Sequence, residues 1–256
     1  MPSPLPPHLH VYDDVDQLAA GAAAKLATVA SAAVRERGRC SVALSGGSTP
    51  ACLFRVLARG AQDGTGSVPF DAMHFFWSDE RCVPSDHEES NFGNAHRLLL
   101  STLSVAPHKV HRVRTELGDP GDIAADYRQQ LEQHFASAPG EPPVFDVVFL
   151  GMGDDGHTAS LFPGTRALDE DSQWVVANPV PALDVHRITF TYPLINRAAW
   201  VMVLVVGEGK AAVLREVWQG PRRPSVLPIQ GVAPHPGELH WYCDRRAVAL
   251  LDDGAG

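Results

Sequence analysis

The feature that most constrains the fold is an apolar run that stops at a glycine-rich segment. Residues Val144–Leu150 end in four consecutive apolar side chains, and Gly151-Met152-Gly153-Asp154-Asp155-Gly156-His157 follows at once. A strand that is apolar toward both faces needs cover on both faces, as parallel strands between layers of helices have. The run therefore predicts a buried parallel strand that ends in an unusual turn.

The same alternation of apolar strand and amphipathic helix extends along the chain. Further strands are predicted at Ser41–Leu44, Met73–Trp77, Trp174–Asn178, Arg187–Tyr192 and Val201–Val206. Helices are predicted at Asp16–Arg37, Ala51–Arg59, Asn91–Ser101, Ile123–Phe135 and Lys210–Trp218. This order indicates an α/β fold: a Rossmann-like, mainly parallel sheet with helices on both faces.

Loops rich in glycine and proline are candidate domain boundaries, near residues 62–69, 137–143 and 219–225. None of them separates segments of different composition, so we expect a single domain over residues 10–251. A proline-rich arm, residues 1–9, precedes this domain, and residues 252–256 form a short tail.

The charge of the chain limits the classes of partner. It has 21 Lys and Arg against 30 Asp and Glu, a formal net charge of −9. An acidic balance argues against nucleic acid or an anionic membrane as the main partner. No signal peptide or membrane span is expected, since the longest apolar run, Trp200–Val206, is far shorter than the roughly 20 residues that cross a bilayer. Widely spaced cysteines without a C-x-x-C pattern indicate free thiols. We expect a cytoplasmic protein, monomeric or a small homo-oligomer.

Ligands of open parallel sheets bind beyond the carboxyl ends of the strands, and four unusual segments stand at such positions. The first is Ser45-Gly46-Gly47-Ser48-Thr49, between a strand and a helix. Its glycines permit close approach of the backbone, and the N–H groups at the helix start favour an anion. It matches neither a P-loop nor a dinucleotide fingerprint. A tight turn with a helix cap is an equally good interpretation.

The second segment is Ser78-Asp79-Glu80-Arg81, at the start of a predicted charged loop, Ser78–Asp86. Arg81 can bind a phosphate or carboxylate through two hydrogen bonds, and Asp79 could orient a base or hold that arginine. The alternative is a solvated loop with local ion pairs.

The third and fourth segments supply a base and a cation. His157 is expected to begin a short helix two residues after Asp155, and a histidine can act as a general base near neutral pH. Lys210, in Gly207–Ala211, lies near a predicted helix start, where a cation is unfavourable unless an anion joins it. Arg187 could converge on the same place. A structural histidine and an exposed lysine are the alternatives.

Two pairs of histidines were weighed as metal ligands. His8 with His10, and His108 with His111, have no Cys or acidic partner at ligand spacing, so both are interpreted as surface histidines. No metal and no cofactor are predicted.

Taken together, the motifs resemble the 6-phosphogluconolactonase family of the pentose phosphate pathway. In order along the chain they are Ser45–Pro50, Ser78–Pro84, Ser90-Asn91, Leu150–Gly164, Arg187-Ile188-Thr189 and Gly207–Ala211. The resemblance covers residues 10 to 251, and the ordered combination is far more specific than any one motif.

The resemblance implies a fold shared with glucosamine-6-phosphate deaminases. It also implies hydrolysis of 6-phosphoglucono-1,5-lactone to 6-phosphogluconate without metal or nucleotide. His157 would be the base, with Asp155 as a possible orienting group. Arg81, Lys210 and the Ser45–Thr49 loop would bind this sugar phosphate lactone, and Arg187 would be a further phosphate contact.

Two alternatives remain open at this stage. An amino-sugar phosphate deaminase or isomerase could use Asp79 as a base on the same fold, although the segment Thr158–Pro163 resembles the lactonases. A sugar-phosphate-binding regulator would usually carry a DNA-binding domain, and no spare basic segment of that size is present.

Overall fold

Residue 6, residues 8–136 and residues 141–251 are described by the structure, a computed structural model. Within them the strands are β1 Leu9–Tyr12, β2 Cys40–Leu44, β3 Met73–Trp77, β4 Asp79–Arg81, β5 Val147–Gly151, β6 Val175–Val180, β7 Val185–Phe190, β8 Trp200–Val205 and β9 Glu238–Asp244. Six of these strands form one sheet in the order β1-β9-β8-β5-β2-β3, and every neighbouring pair is parallel. The predicted mainly parallel sheet is therefore confirmed.

Helices cover both faces of this sheet. They are α1 Val15–Arg37, α2 Ser48–Gln62, α3 Asn91–Ala95, α4 Pro120–Phe135, α5 Tyr192–Ile195 and α6 Ala211–Gln219. Side chains of a strand alternate between faces, and along β5 Val147 and Phe149 join the core under α1 and α2. Val148 and Leu150 join the core under α4 and α6. The predicted two-sided cover is confirmed.

Several element boundaries differ from prediction for local reasons. The strand predicted at Val144–Leu150 begins at Val147, because the Asp146 carboxylate accepts the Ser41 N–H at 2.7 Å. The helix predicted at Ala51–Arg59 begins at Ser48. It accommodates Pro50 in its first turn, where a missing N–H costs no hydrogen bond.

By length and composition alone, α1 is apolar enough to cross a membrane. Its apolarity comes largely from alanines, and its side chains Leu18, Ala22, Leu26 and Ala30 are buried in the core. Core helices of α/β proteins meet the same criterion, and α1 packs here as one of them.

The charged loop predicted at Ser78–Asp86 is wrong in its first part, since Asp79–Arg81 form β4. The segments predicted at Trp174–Asn178 and Arg187–Tyr192 are strands, but they lie outside the parallel sheet. They correspond to β6 and β7, which join β4 in an antiparallel sheet of order β4-β7-β6. The link between β6 and β7 is a short 3-10 turn, Pro181–Leu183, too short for the crossover that parallel strands require.

Two strands at one edge were not predicted. β9 contains one aliphatic residue, Leu239, and so has no continuous aliphatic run. β1 begins at Leu9, inside the predicted proline-rich arm. Most of that arm, the tail 252–256 and residues 137–140 of the predicted linker lie outside the described residues.

Candidate active site

A cleft of about 270 Å³ opens at the carboxyl ends of β2, β3, β5 and β8. All four sequence-predicted segments contribute to its lining. The predicted site residues it brings together are Ser45, Gly46, Gly47, Ser48, Thr49, Asp79, Arg81, His157 and Lys210. We call this part of the site the loop lobe.

A second hollow of about 450 Å³ adjoins the first and shares Asp79, Arg81 and His157 with it. Its remaining lining includes Asp155 and Arg187, and we call it the arginine lobe. Arg187 and Lys210 therefore line different lobes rather than one common pocket, and Arg81 stands where the two lobes meet.

The turn that carries His157 closes on itself instead of starting a helix, so the predicted short helix is wrong. The Gly153 N–H donates to the His157 carbonyl at 2.8 Å, and Gly156 has φ +75°. A Cβ on Gly153 would lie 2.1 Å from His157 Nδ1. The glycines thus allow a tight turn in which the His157 imidazole packs against the backbone of Gly153.

Asp155 fixes the orientation of the His157 ring. One carboxylate oxygen, Oδ1, lies 2.6 Å from His157 Nδ1 and accepts the His157 backbone N–H at 3.0 Å. Burial opposes ionisation of Asp155, but these bonds and the nearby imidazole hold the pKa of its carboxyl below the ordinary value. An ionised Asp155 keeps the proton on Nδ1 and leaves the Nε2 lone pair free. Phe162 stacks on the ring at 4.1 Å.

Asp79 is buried at the start of β4 and accepts two side-chain hydrogen bonds. Ser160 Oγ donates to Oδ2 at 2.7 Å, and Asn91 Nδ2 donates to Oδ1 at 3.1 Å. Among the described residues it makes no ion pair with Arg81. Its role as a catalytic residue stays a prediction.

Asn91 and Ser160 were not predicted as site residues, because uncharged polar side chains carry no distinctive pattern. Their only sequence signal was their place within the family-like segments. A Cβ on Gly46 would lie 1.8 Å from Asn91 Oδ1, so the loop after β2 and the amide that holds Asp79 are packed together.

Glu80, whose neighbours suggested a solvated charge cluster, is instead buried. Its carboxylate accepts backbone N–H groups of Arg81, Asn91 and Phe92 at 2.8, 2.7 and 2.8 Å. Burial raises the pKa of this carboxyl, although those three bonds partly offset the effect. Glu80 therefore anchors the segment that carries Asn91.

Arg81 and Arg187 lie directly opposite each other in the β4–β7 pair. Burial and the charge of Arg81 both lower the pKa of Arg187. Nε of Arg81 and both Nε and Nη1 of Arg187 are buried without a hydrogen-bond partner among the described residues. Two like charges across a strand pair repel each other. An anion between the guanidinium groups would relieve that repulsion and satisfy the free donors.

Lys210 and the Ser45–Thr49 loop complete the loop lobe. Lys210 Nζ pairs with Asp154 Oδ1 at 2.5 Å, and Asp154 is largely exposed. Gly47 directly precedes α2 and provides no side-chain cap. The first N–H groups of the helix are therefore available to a ligand.

Comparison of the sequence with known proteins identifies the family to which this chain is similar. Residues 13–241 match the family described as Glucosamine-6-phosphate isomerases/6-phosphogluconolactonase. A 6-phosphogluconolactonase of Nostoc sp. is 40% identical over 248 residues, which are 95% of this chain and 98% of the relative.

Two solved structures are similar over nearly their whole length. A crystal structure described as devB protein has a TM-score of 0.85 at 31% identity and covers 96% of this chain and 99% of its own. The 6-phosphogluconolactonase of Trypanosoma cruzi has a TM-score of 0.82 at 28% identity and covers 98% of both chains.

Proposed function

This chain belongs to the glucosamine-6-phosphate isomerase and 6-phosphogluconolactonase family, and from that premise we propose that its cleft hydrolyses 6-phosphoglucono-1,5-lactone with His157 as general base. The chain is a lactone hydrolase of sugar phosphate metabolism, as are the relatives that it matches over nearly their full length. One observation carries the assignment of the base. The Nδ1 of His157 is held by Asp155, while the ring lines a cleft with Arg81, whose Nε has no hydrogen-bond partner among the described residues.

A lactone is an activated ester, so no covalent nucleophile is needed. His157 Nε2 removes a proton from water while the water oxygen bonds to C1, and the carbonyl electrons move to its oxygen. Backbone N–H groups of the glycine-rich turns are the donors available to this oxyanion. When the intermediate collapses, the bond between C1 and the ring oxygen breaks. The leaving oxygen then takes the proton back from His157 as a hydroxyl.

The phosphate binds against Arg81, where the two lobes meet. From the loop lobe, the N–H groups at the start of α2 and Lys210 are within the same cleft. From the arginine lobe, Arg187 offers its buried Nε and Nη1, which have no hydrogen-bond partner in the part of the chain that the structure describes. Binding energy from this remote group positions C1 beside the base. Asp79 accepts hydrogen bonds from Asn91 and Ser160. These bonds fix the side chains that lie between the two lobes.

An amino-sugar phosphate deaminase or isomerase is the competing activity within the same family. Asp79 would have to act there as a base on carbon, yet both of its carboxylate oxygens accept hydrogen bonds from protein groups. The segment after His157, Thr158–Pro163, also favours the lactonase. We place the reaction in the cytoplasm, with a sugar phosphate lactone as the small-molecule partner.

The decisive assay generates the lactone in situ and follows its loss with and without the protein. We expect His157→Ala to lower kcat by about 10²- to 10⁴-fold, the contribution typical of a general base. His186→Gln, at an exposed histidine beside Arg187, is the matched control and should retain full activity.

Two outcomes would contradict the proposal separately. Equal rates with and without protein would remove the lactonase activity itself. Full activity in a folded His157→Ala variant would leave the activity in place and remove the proposed base.

A further inference from the structure

Three histidines meet at the edge of the sheet opposite the cleft. His74 is the second residue of β3, His111 follows a parallel bridge to β3, and His134 lies in the last turn of α4. Each is half-buried, so the group is held by the fold yet open to small solutes. The cleft lies beyond the other end of β3, several residues away at about 3.3 Å each.

The ring nitrogens of this group converge. His74 Nδ1 and His111 Nε2 lie 3.1 Å apart, and one ligand nitrogen from each of the three rings lies within 4.8 Å of the others. Two nitrogens bound to one tetrahedral zinc ion at about 2.05 Å are about 3.3 Å apart. The closest pair therefore already has the spacing of two ligands of one ion.

The surroundings keep these rings neutral and in place. Burial is the main cause that lowers their pKa values, that of His111 to about 4 and that of His134 to about 3. Phe76 stacks on His111 at 4.3 Å, and Ser41 Oγ lies 2.9 Å from His134 Nε2. These two contacts hold the rings of His111 and His134 in place.

A second group, His8, Glu238 and His240, also has ligand atoms within 4.8 Å of one another, but its rings are arranged differently. His8 and His10 stack on His240 with interplanar angles of 10° and 7°. Both nitrogens of His240 already have partners, one on His10 and one on Glu238. Its rings form a stacked ladder, which makes this group a natural internal control.

We propose that His74, His111 and His134 form a binding site for one borderline transition-metal ion such as Zn²⁺, separate from the catalytic cleft. The sequence interpretation of His108 and His111 as surface histidines did not identify this group, because the partners of His111 come from β3 and α4. Three imidazoles with a fourth position left to Ser41 or water are a set that zinc accepts.

The charge around the site decides which metal it takes. Arg39 and Lys109 lie close enough to lower the pKa of His74, and their positive charge also opposes a bound cation. Hard ions such as Mg²⁺ need negative oxygen ligands to offset such repulsion, whereas Zn²⁺ forms strong bonds to imidazole nitrogen. We therefore expect Zn²⁺ to bind and Mg²⁺ not to bind.

The bound ion would join the last turn of α4 and the segment before His111 to β3. Its effect would be on stability rather than on lactone hydrolysis. Ligand that binds only the folded state raises the melting temperature. For a chain of this size we expect a rise of about 5 °C at a hundredfold excess over Kd.

The test uses the full chain without a histidine tag, treated with EDTA and desalted. Zn²⁺ is titrated calorimetrically into wild type, His111→Gln, His134→Gln and two controls, His108→Gln and His8→Gln. The expected result is one ion per chain in wild type and both controls, with loss of that binding and of the thermal shift in His111→Gln and His134→Gln. Mg²⁺ should give neither signal.

Imidazole NMR signals of the wild-type chain give a readout that needs no variant. Zn²⁺ should shift the rings of His74, His111 and His134 together, with lactonase kcat unchanged. Absence of Zn²⁺ binding, shifts confined to His157, or binding that His8→Gln abolishes and His111→Gln does not would each overturn the proposal.

Discussion

The two lobes of the site share Asp79, Arg81 and His157, but the cations that each lobe adds come from different parts of the fold. The loop lobe stands on turns of the parallel sheet, and its one lysine is already paired with Asp154. The arginine lobe adds Arg187 of the antiparallel sheet, which faces Arg81, and neither arginine forms an ion pair with a carboxylate of residues 8–136 or 141–251.

This difference separates two tasks. Turns can place backbone N–H groups close to a reacting carbon. His157 lies in such a turn, the one that follows β5. Paired strands hold long side chains at a set spacing, which suits recognition of a phosphate by two guanidinium groups. We therefore expect changes near His157 to act mainly on kcat and changes in the arginine lobe to act mainly on KM.

The largest kinetic effect, a loss of kcat, is expected for substitution of Asp155. Asp155→Ala removes the acceptor that fixes the proton on Nδ1 of His157, and kcat should fall by about 100-fold, within the range of a general base. In Asp155→Asn the backbone N–H of His157 still selects the amide oxygen as acceptor. That variant should lose only about tenfold, because tautomer and orientation survive and only the charge is gone.

Steady-state kinetics of both Asp155 variants check this expectation. A loss of kcat as large for asparagine as for alanine would show that charge rather than orientation is what Asp155 contributes. Unchanged kinetics in both variants would show that Asp155 does not contribute to catalysis.

The next effect is expected at Arg187. Hydrogen bonds to charged groups contribute about 1.5–3 kcal/mol, so Arg187→Ala should raise KM for the phosphorylated lactone by about 10- to 100-fold. Hydrolysis of unphosphorylated gluconolactone should change little. Arg187→Lys keeps the charge without the planar pair of donors and should recover only part of the loss. Equal losses on both lactones would contradict a phosphate contact.

Gly46 tests whether the two sheets are coupled. A methyl group there would collide with Asn91, and overpacking of this kind costs about 2 kcal/mol of unfolding free energy. For this chain length that corresponds to a melting temperature about 4 °C lower. Gly209→Ala, beside Lys210, is the control, because a Cβ at that position meets nothing within 4 Å.

Calorimetry and kinetics together decide the outcome. If Gly46→Ala displaces Asn91, the arginine lobe should suffer as well and KM should rise. A variant that is less stable but keeps the wild-type KM would show that the two lobes are not connected through Asn91.

The sequence was informative where the cause of structure is local. Continuous apolar strands and glycine-rich turns identified the parallel sheet and placed His157 and the Ser45–Thr49 loop at its edge. The strand Asp79–Arg81 was missed, because all three of its residues are charged and its pairing with β7 joins residues about a hundred positions apart. Such non-local pairing leaves no periodic pattern in either segment.

Side chains without charge were missed at the site for a related reason. Asn91 and Ser160 matter through the carboxylate they hold, and nothing in their own neighbourhood shows which carboxylate that is. The histidine group at the opposite edge is a similar case, since His74, His111 and His134 come from three separate elements and share no ligand spacing.

The smallest effect on KM is expected for substitution of Lys210. Its size shows which of the two lobes contributes more to binding the phosphate. Exposed ion pairs contribute roughly 0–1 kcal/mol, so Asp154 holds Lys210 only weakly and the lysine shares its charge with any phosphate. Lys210→Ala should raise KM for the phosphorylated lactone by less than about tenfold, below the effect of Arg187→Ala. Asp154→Asn frees the ammonium group and should lower KM slightly. If Lys210→Ala were instead as damaging as Arg187→Ala, the phosphate would bind in the loop lobe, and the donors of Arg81 and Arg187 would contact hydroxyl groups of the substrate.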